Sequence, residues 1–254
     1  MPAVQGAQLA AWRAAMTRLM DDWCAIVRPG ALTSDGAGGQ LNAAASIVYS
    51  QCKLVPGVRN VRTREAEGEH LLADVVAQTA LWTALMPYGT DLRHTDLVMG
   101  LRNVWRARTA YTAGQHVMAM PPNGLVYKCM VAGTSGATHP TWPTTPAGLG
   151  GIVVDGGVTW WCHKWEPGAT YYEIGDYMVP NPPNGVIYKC LVDGTTALSA
   201  PAWPYRDRVT VDDGSMTWQV ASGDWVTHQF DVLAVVAERT NALQVQGICS
   251  ERAG

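Results

Sequence analysis

The order of apolar and polar residues predicts one helix near the start of the chain and strands after it. Residues 6–21 carry apolar side chains at helical spacing, without a helix breaker, on one face: Leu9, Trp12, Met16, Leu19 and Met20. Short apolar runs at 23–28, 47–56 and 95–101 predict strands. The run at 70–82 is compatible with either a strand or a helix.

The last segment of the chain has the pattern of a hairpin. Residues 228–251 contain two apolar runs joined by a polar turn at 238–241. A segment of about 30 residues cannot easily form a hydrophobic core of its own. We therefore expect this hairpin to complete the sheet that residues 23–101 begin.

The second half of the chain contains an internal repeat. The 24 residues that begin at Tyr111 align without a gap to those that begin at Tyr172, and 12 of these positions are identical. After a three-residue deletion the similarity resumes at Asp155 and Asp213. The segment is therefore two copies of one unit.

Each copy has the pattern of a small antiparallel β module. A Pro-Pro-Asn-Gly turn precedes the apolar runs 125–131 and 186–192, and an Asp-Gly turn precedes a second run in each copy. The loops at 133–151 and 194–207 are rich in Gly, Pro, Ser and Thr. Because a unit of about 60 residues buries little surface, its Trp and Tyr residues are expected to form a miniature core.

These patterns predict a mainly β protein with a discontinuous domain. A small β-barrel with a short N-terminal helix comprises residues 1–103 and 223–254, and an insertion of two tandem modules splits it. The modules comprise residues 104–164 and 165–222. Insertions are tolerated at exposed loop tips whose ends lie close together, and this one falls between two predicted strands.

Composition excludes several classes of protein. Charged residues make up only 15% of the chain and hydrophobic residues 48%, which is not the composition of a disordered chain. A net charge of −3 gives no general attraction to nucleic acid or to an anionic membrane. No stretch approaches the roughly 20 apolar residues that span a bilayer. The N-terminus lacks the basic start and apolar core of a signal peptide, so we expect folding in a cytosol.

The aromatic composition is unusual. The chain has 11 Trp and 9 Tyr but a single Phe, Phe230. Trp and Tyr combine an apolar ring with a polar group, so their excess suggests that many of them lie at partly hydrated surfaces.

The six cysteines are widely spaced and form no CxxC pair, so we interpret them as small buried apolar residues. Cys129 and Cys162 lie in the same copy and could form a disulfide, but Val220 replaces Cys162 in the second copy. His163 adjoins Cys162, yet with Cys129 it gives too few ligands for a metal site. The sequence predicts neither a metal site nor a cofactor.

No catalytic motif occurs in a fitting context, so the chain is not expected to be an enzyme. The adjacent acidic pairs Asp21-Asp22 and Asp212-Asp213 could form acid–base dyads, but helix ends and turns explain them better. The sequence therefore offers no catalytic residue.

The repeats resemble the small chitin-binding type of carbohydrate-binding module, copies of which decorate phage tail and neck proteins. The resemblance covers residues 105–222 and rests on a Trp, a Tyr-x-x-Gly turn, an Asn-Gly-x-x-Tyr-x-Cys strand and a Pro-x-Trp. It departs from that pattern in the long Pro-rich loop before the last Trp. It implies glycan binding at Trp142, Trp203, Tyr127 and Tyr188. In the alternative interpretation each loop Trp folds back and covers the core of its module.

The flanking segments resemble the head-closure proteins (stoppers, or head-to-tail connectors) of long-tailed actinobacteriophages. The resemblance covers about 135 residues and rests on four segments. These are Met20–Gly30 with its Cys and Arg-Pro-Gly, the strand Ile47–Leu54, the Asp-x-Val at Asp96–Val98, and the closing hairpin with Phe230–Val232.

That resemblance implies a virion protein that assembles in the host bacterial cytoplasm. It would form a ring of six or twelve subunits in the phage neck, between the portal or adaptor and the tail terminator or tail tube. The ring would help to retain packaged DNA without sequence-specific contacts, and host surface glycans would be further partners of the repeats. Loops 33–46 and 57–69 would face the channel or neighbouring subunits, or be simple solvated loops.

Two other functions stay open at this point. The chain could be a tail-associated adhesin that binds host surface polysaccharide, if the repeats dominate its function. It could also be a secreted polysaccharide-binding or hydrolytic protein, although the missing signal peptide and catalytic pair argue against this.

Overall fold

A computed structural model describes most of the chain. The described residues are 6–30, 32–34, 40–42, 46–57, 81–236 and 244–251. They form two compact units, one from residues 1–101 together with 226–254 and the other from residues 102–225. We call residues 102–225 the insertion.

The described residues form one α-helix, α1 (Gly6–Arg18), and 18 strands. The strands before the insertion are β1 (Asp22–Arg28), β2 (Leu32–Ser34), β3 (Gln40–Asn42), β4 (Ser46–Gly57), β5 (Leu81–Pro87) and β6 (Leu97–Leu101). Those of the insertion are β7 (Ala110–Tyr111), β8 (His116–Met118), β9 (Val126–Val131), β10 (Gly133–Thr134), β11 (Ile152–Asp155), β12 (Val158–Cys162), β13 (Tyr177–Met178), β14 (Tyr188–Val192), β15 (Thr210–Asp213) and β16 (Met216–Val220). The last two are β17 (Val226–Val236) and β18 (Gln244–Glu251).

Six strands close into an antiparallel barrel in the order β1-β4-β5-β18-β17-β6. The C-terminal hairpin completes this barrel, because β18 pairs with β5 and β17 pairs with β6. The prediction of a mainly β fold with a small barrel and a short N-terminal helix is therefore confirmed. The barrel core consists of Cys24, Ile26, Cys52, Ala84, Met86, Leu92, Val98, Phe230, Val232, Val245 and Cys249.

The insertion begins and ends on adjacent strands of the barrel. Leu101 at the end of β6 pairs with Val226 at the start of β17. In the next pair of residues, the backbone N–H of Arg102 donates to the carbonyl oxygen of Trp225 at 2.9 Å. The two ends of the insertion therefore lie side by side, as expected for an insertion that a folded domain tolerates.

The helix differs from the prediction in length and burial. It ends at Arg18, three residues before the predicted end at residue 21, and none of its residues is buried. Trp12 is 46% exposed and Leu19 68% exposed, whereas Leu9 and Met16 are half-buried, so the described residues cover the predicted apolar face only in part. Met20, after the helix, is the one member of that face that is buried. No described helix is long and apolar enough to cross a membrane.

Several predicted connections lie partly or wholly outside the described residues. Most of the 70–82 run and of the loop at 57–69 is not described, nor is the polar turn at 238–241. The described residues of the loop at 33–46 belong to a short hairpin in which β2 pairs with β3. Main-chain hydrogen bonding between these short strands offsets their low apolar content.

The two modules of the insertion share one architecture. Each has a four-stranded antiparallel sheet, in the order β11-β12-β9-β8 in the first copy and β13-β14-β16-β15 in the second. The N–H groups of Trp105 and Trp165 donate to the equivalent carbonyl oxygens of Met118 and Val179. The internal repeat is therefore a repeat of structure as well as of sequence.

Candidate functional site

A buried carboxylate organises the aromatic core of the first copy. Asp155, at the end of β11, accepts hydrogen bonds at Oδ2 from the indole N–H groups of Trp105 (2.7 Å) and Trp160 (3.1 Å). Its Oδ1 accepts a third hydrogen bond, from the backbone N–H of Gly136 at 2.7 Å. All three donors lie inside the module, so the carboxylate of Asp155 is satisfied although it is buried.

The second copy repeats this arrangement. Asp213 accepts at Oδ2 from Trp165 (2.8 Å) and Trp218 (3.0 Å), and at Oδ1 from the N–H of Ala197 (2.8 Å). From the sequence alone, Asp213 is expected only to form part of a turn. The signal that could have revealed its role is that an Asp and two Trp recur together in both copies.

A third tryptophan follows at the same spacing of 60 residues but has no such partner. Trp225 is buried, and its indole N–H has no hydrogen-bond acceptor among the described residues. Trp105 and Trp165 stand at the beginning of the first and the second copy. Trp225 stands at the position where a third copy would begin, but the chain returns to the barrel there.

The structure argues against two of the four predicted glycan-binding residues. Tyr127 and Tyr188 are completely buried. Their hydroxyl groups donate to the carbonyl oxygens of Pro143 (2.8 Å) and Pro204 (2.5 Å). A sugar needs an accessible ring face, and neither tyrosine offers one, so both are core residues that fasten the Pro-rich loops.

The two loop tryptophans pack back onto their modules but stay partly exposed. The ring of Trp142 lies 4.5 Å from that of Tyr127, and the ring of Trp203 lies 4.8 Å from that of Tyr188, measured between centroids. Trp142 also donates from Nε1 to the carbonyl oxygen of Met120 at 3.3 Å. This packing agrees with the alternative in which the tryptophans cover the cores. Glycan binding by their exposed parts stays a prediction.

The main difference between the copies is a buried ion-pair group. Lys128 on β9 is only 4% exposed, and its Nζ donates to Glu173 Oε2 (2.7 Å) and to Asp176 Oδ2 (2.8 Å) in the second copy. The corresponding lysine of the second copy, Lys189, is half-buried and lies 5.5 Å from the ring centroid of Tyr177. The buried pairing therefore occurs only at the junction between the copies.

Two histidines adjoin this ion pair. His116 Nε2 accepts a hydrogen bond from the N–H of Tyr177 (3.3 Å) and lies 3.4 Å from Asp176 Oδ1. His163 is fully buried, its Nδ1 lies 3.9 Å from Asp176 Oδ2, and neither of its ring nitrogens has a hydrogen-bond partner among the described residues. The two imidazole rings meet edge to face at 5.4 Å.

Burial keeps both imidazoles neutral at pH 7. Desolvation, followed by the positive charge of Lys128, lowers the pKa of His116 to about 4. Desolvation likewise lowers the pKa of His163 well below its ordinary value. Neutral imidazoles retain a lone pair on one nitrogen, and this lone pair can bind a proton donor or a metal ion.

His163 has different neighbours in the structure from those that the sequence suggests. The sequence places it beside Cys162 and in the same copy as Cys129, whereas a ligand atom of His163 lies within 4.8 Å of those of His116 and Asp176. No ligand spacing within one copy could show this, because the three residues come from distant positions on both sides of the junction.

All six cysteines are free and buried, in agreement with their interpretation as small apolar residues. Cys129 and Cys162 therefore do not form the disulfide that the sequence left open. Burial raises the pKa of Cys162 to about 12 and that of Cys190 to about 11, so these thiols stay protonated and unreactive at neutral pH.

The acidic pairs have structural partners instead of forming dyads. Asp21 forms an ion pair with Lys53 at 2.6 Å, and Asp212 accepts from the hydroxyl of Thr217 at 2.9 Å. Asp213 is the core acceptor described above. Two features of the insertion offer binding groups, the partly exposed indoles of Trp142 and Trp203 and the buried group of His116, His163 and Asp176.

No protein-family model, curated protein or solved structure matches this chain.

Proposed function

We propose that this chain is a structural protein of the bacteriophage neck. In this proposal the barrel assembles into a ring that joins the portal or adaptor to the tail and helps to retain packaged DNA. The insertion adds two decoration modules to each subunit. The protein performs assembly and no chemical reaction.

The observation that carries the proposal is which segments of the sequence form the barrel. The segments on which the resemblance to head-closure proteins rests belong to one closed sheet, although more than 120 residues separate the last of them from the others. Arg28 of the Arg-Pro-Gly segment binds Asp96 of the Asp-x-Val segment directly. Two segments of this resemblance that are far apart in the sequence are therefore in direct contact in the barrel.

The outward surface of the barrel strands supports subunit contacts. Large apolar side chains on three of the strands, β4, β17 and β18, are exposed: Ile47, Val48, Val55, Leu233 and Ile248. Single exposed apolar residues are common on monomers, but several of them on one barrel suit a homo-oligomer. Ring symmetry multiplies a modest contact area between neighbours.

The proposal is tested by the mass and shape of the purified full-length protein. We expect light scattering and negative-stain electron microscopy to show closed rings of six or twelve subunits. Val48→Asp, at a position 57% exposed on β4, is expected to dissociate the rings without lowering the melting temperature. Val154→Asp, at a position 69% exposed on β11 of the insertion, is the matched control and should leave them intact. A chain that stays monomeric at high concentration and with added portal protein would contradict the proposal.

The partly exposed Trp142 and Trp203 favour one alternative, a tail-associated adhesin that binds host surface polysaccharide. An indole face stacks readily on the apolar face of a sugar ring. Retention on chitin or on host cell wall, lost in the Trp142→Ala/Trp203→Ala double variant, would support this alternative. Absence of retention would leave the modules as decorations or spacers.

A further inference from the structure

Three side chains of types that bind metal ions lie together where the two copies meet, and the proposed function assigns no role to them. His116 lies on β8, His163 directly follows β12, and Asp176 directly precedes β13. Their donor atoms all lie within 4.8 Å of one another. We propose that His116, His163 and Asp176 form a binding site for a divalent transition-metal ion, with Zn²⁺ as the ion that fits these ligands best.

The ligand types and distances support zinc. Imidazole nitrogen and carboxylate oxygen are ordinary zinc ligands, bound at roughly 2.0–2.2 Å, so two ligand atoms of a tetrahedral site lie about 3.4 Å apart. The distance from His116 Nε2 to Asp176 Oδ1 is 3.4 Å. His163 Nδ1 lies 3.9 Å from Asp176 Oδ2, the oxygen that Lys128 binds, and a ligand atom of His163 lies within 4.8 Å of those of His116 and Asp176, so a movement of the His163 ring would complete the site.

The state of His163 is the second, independent observation. Its side chain is completely buried, and neither ring nitrogen has a hydrogen-bond partner among the described residues. A buried polar group without a partner destabilises the folded state, because it has lost its hydrogen bonds to water. Coordination of one nitrogen to a metal ion would remove much of this cost, whereas a purely structural role would be served as well by an apolar ring.

The charge of the group permits a cation despite the nearby ammonium. Lys128 pairs with two carboxylates, those of Asp176 and Glu173, so the three groups together carry one net negative charge. Lys128 binds Asp176 through Oδ2, while Oδ1 faces His116. A bound ion would replace the long hydrogen bond of 3.3 Å that the N–H of Tyr177 donates to His116.

The site would be specific to this junction. Gln115 of the first copy corresponds to Asp176 of the second, and Tyr177 of the second copy corresponds to His116 of the first. The repeat therefore does not supply the same set of ligands a second time. His163 aligns with Ala221. We therefore expect one ion per chain, which would cross-link the two copies and fix the second module against the first.

The experiment uses the full-length protein after treatment with a chelator and dialysis. Titration with ZnCl₂ alone is followed by calorimetry, and titration with CoCl₂ by visible absorption, which reports the coordination of the ion. We expect saturation at one ion per chain and a rise in melting temperature on binding, because a ligand that binds the folded state stabilises it.

Two variants locate the site. His163→Phe removes a ligand but keeps an aromatic ring in a pocket lined by Tyr171 and Tyr172, so we expect it to fold at least as stably as the metal-free wild type. We expect its zinc affinity to fall at least 100-fold. His94→Ala, which removes an exposed histidine from the barrel unit, is the control and should bind as the wild type does.

Either of two results would overturn the proposal. One is the absence of saturable one-to-one binding to the wild type, and the other is unchanged affinity in His163→Phe. If His163→Phe does not fold, His116→Gln provides the same test, since the amide group of a glutamine extends as far as Nε2 and its oxygen can still accept from Tyr177 but is a poor zinc ligand.

Discussion

Arg28 holds Asp96 through two parallel hydrogen bonds, from Nε to Oδ1 and from Nη2 to Oδ2, each 2.9 Å long. Asp96 is buried, and its Oδ2 also accepts from the backbone N–H of Arg93 at 2.8 Å. The pair joins the end of β1 to the turn that leads into β6. Its two-pronged geometry requires the planar guanidinium of arginine.

We predict that Arg28→Lys lowers the free energy of unfolding by about 2 kcal/mol, because a lysine cannot satisfy both oxygens of the buried carboxylate. Chemical denaturation of the full-length protein measures this. Arg93→Lys is the control, since the side chain of Arg93 pairs with the exposed Asp91 and its substitution should cost less than about 0.5 kcal/mol. Equal effects of the two substitutions would contradict the assigned role of Asp96.

A second prediction concerns the indole–carboxylate bonds in the repeats. Trp165→Phe removes the hydrogen bond to Asp213 and leaves part of a buried carboxylate unsatisfied, whereas Trp225→Phe removes an N–H that has no acceptor among the described residues. Both substitutions remove the same ring volume. We therefore expect Trp165→Phe to be more destabilising by about 1.5–3 kcal/mol. Thermal unfolding of the two variants side by side gives this difference, and no difference would mean that the carboxylate adds nothing.

A third prediction compares the two equivalent lysines. Lys128→Met leaves Asp176 buried without its ammonium partner, which typically costs about 3–5 kcal/mol. Lys189→Met removes a half-buried lysine that lies over Tyr177 and should change stability by less than about 1 kcal/mol. Denaturation in the presence of a chelator measures both. Similar losses would show that the buried ion pair does not hold the copies together.

A fourth prediction concerns acid stability. Hydrogen bonds from Arg93 and then Arg28 lower the pKa of Asp91 from 3.8 to about 2. Because the folded protein holds the carboxylate in its charged form, this contribution is complete above pH 3.8 and is lost as the pH falls through about 2. Melting temperatures of the wild type and of Asp91→Asn should differ by a constant amount above pH 4 and converge near pH 2. A difference that persists at pH 2 would contradict this.

The barrel could be predicted from the sequence because strands leave a local signal. The runs at 23–28 and 47–56 became β1 and β4 with bounds within a residue or so, and the C-terminal hairpin joined them. The helix was predicted too long, since the apolar pattern continued past Arg18 although Leu19 is exposed. Periodicity shows which side chains share a face but not whether anything covers that face.

The candidate sites were harder to predict, because their side chains meet only through tertiary structure. Tyr127 and Tyr188 were chosen for the ring that they could present, yet both are buried with their hydroxyl groups on proline carbonyls. His116 and Asp176 were not singled out, since each is replaced in the other copy by a residue that cannot ligate in the same way. Alignment of the two copies thus shows the residues that they have in common, but not the residues through which they contact each other.

The adjacent positions of Leu101 and Val226 have a consequence for how such a chain can change over time. The segment between these two residues needs only to bring the chain back to the strand next to the one that it left. The number of inserted modules can therefore increase or decrease without disturbing the barrel strands. Trp225, at the spacing of a further lobe but without its aspartate, sits where a third one would begin. The barrel can therefore stay unchanged while inserted modules are gained, lost or replaced.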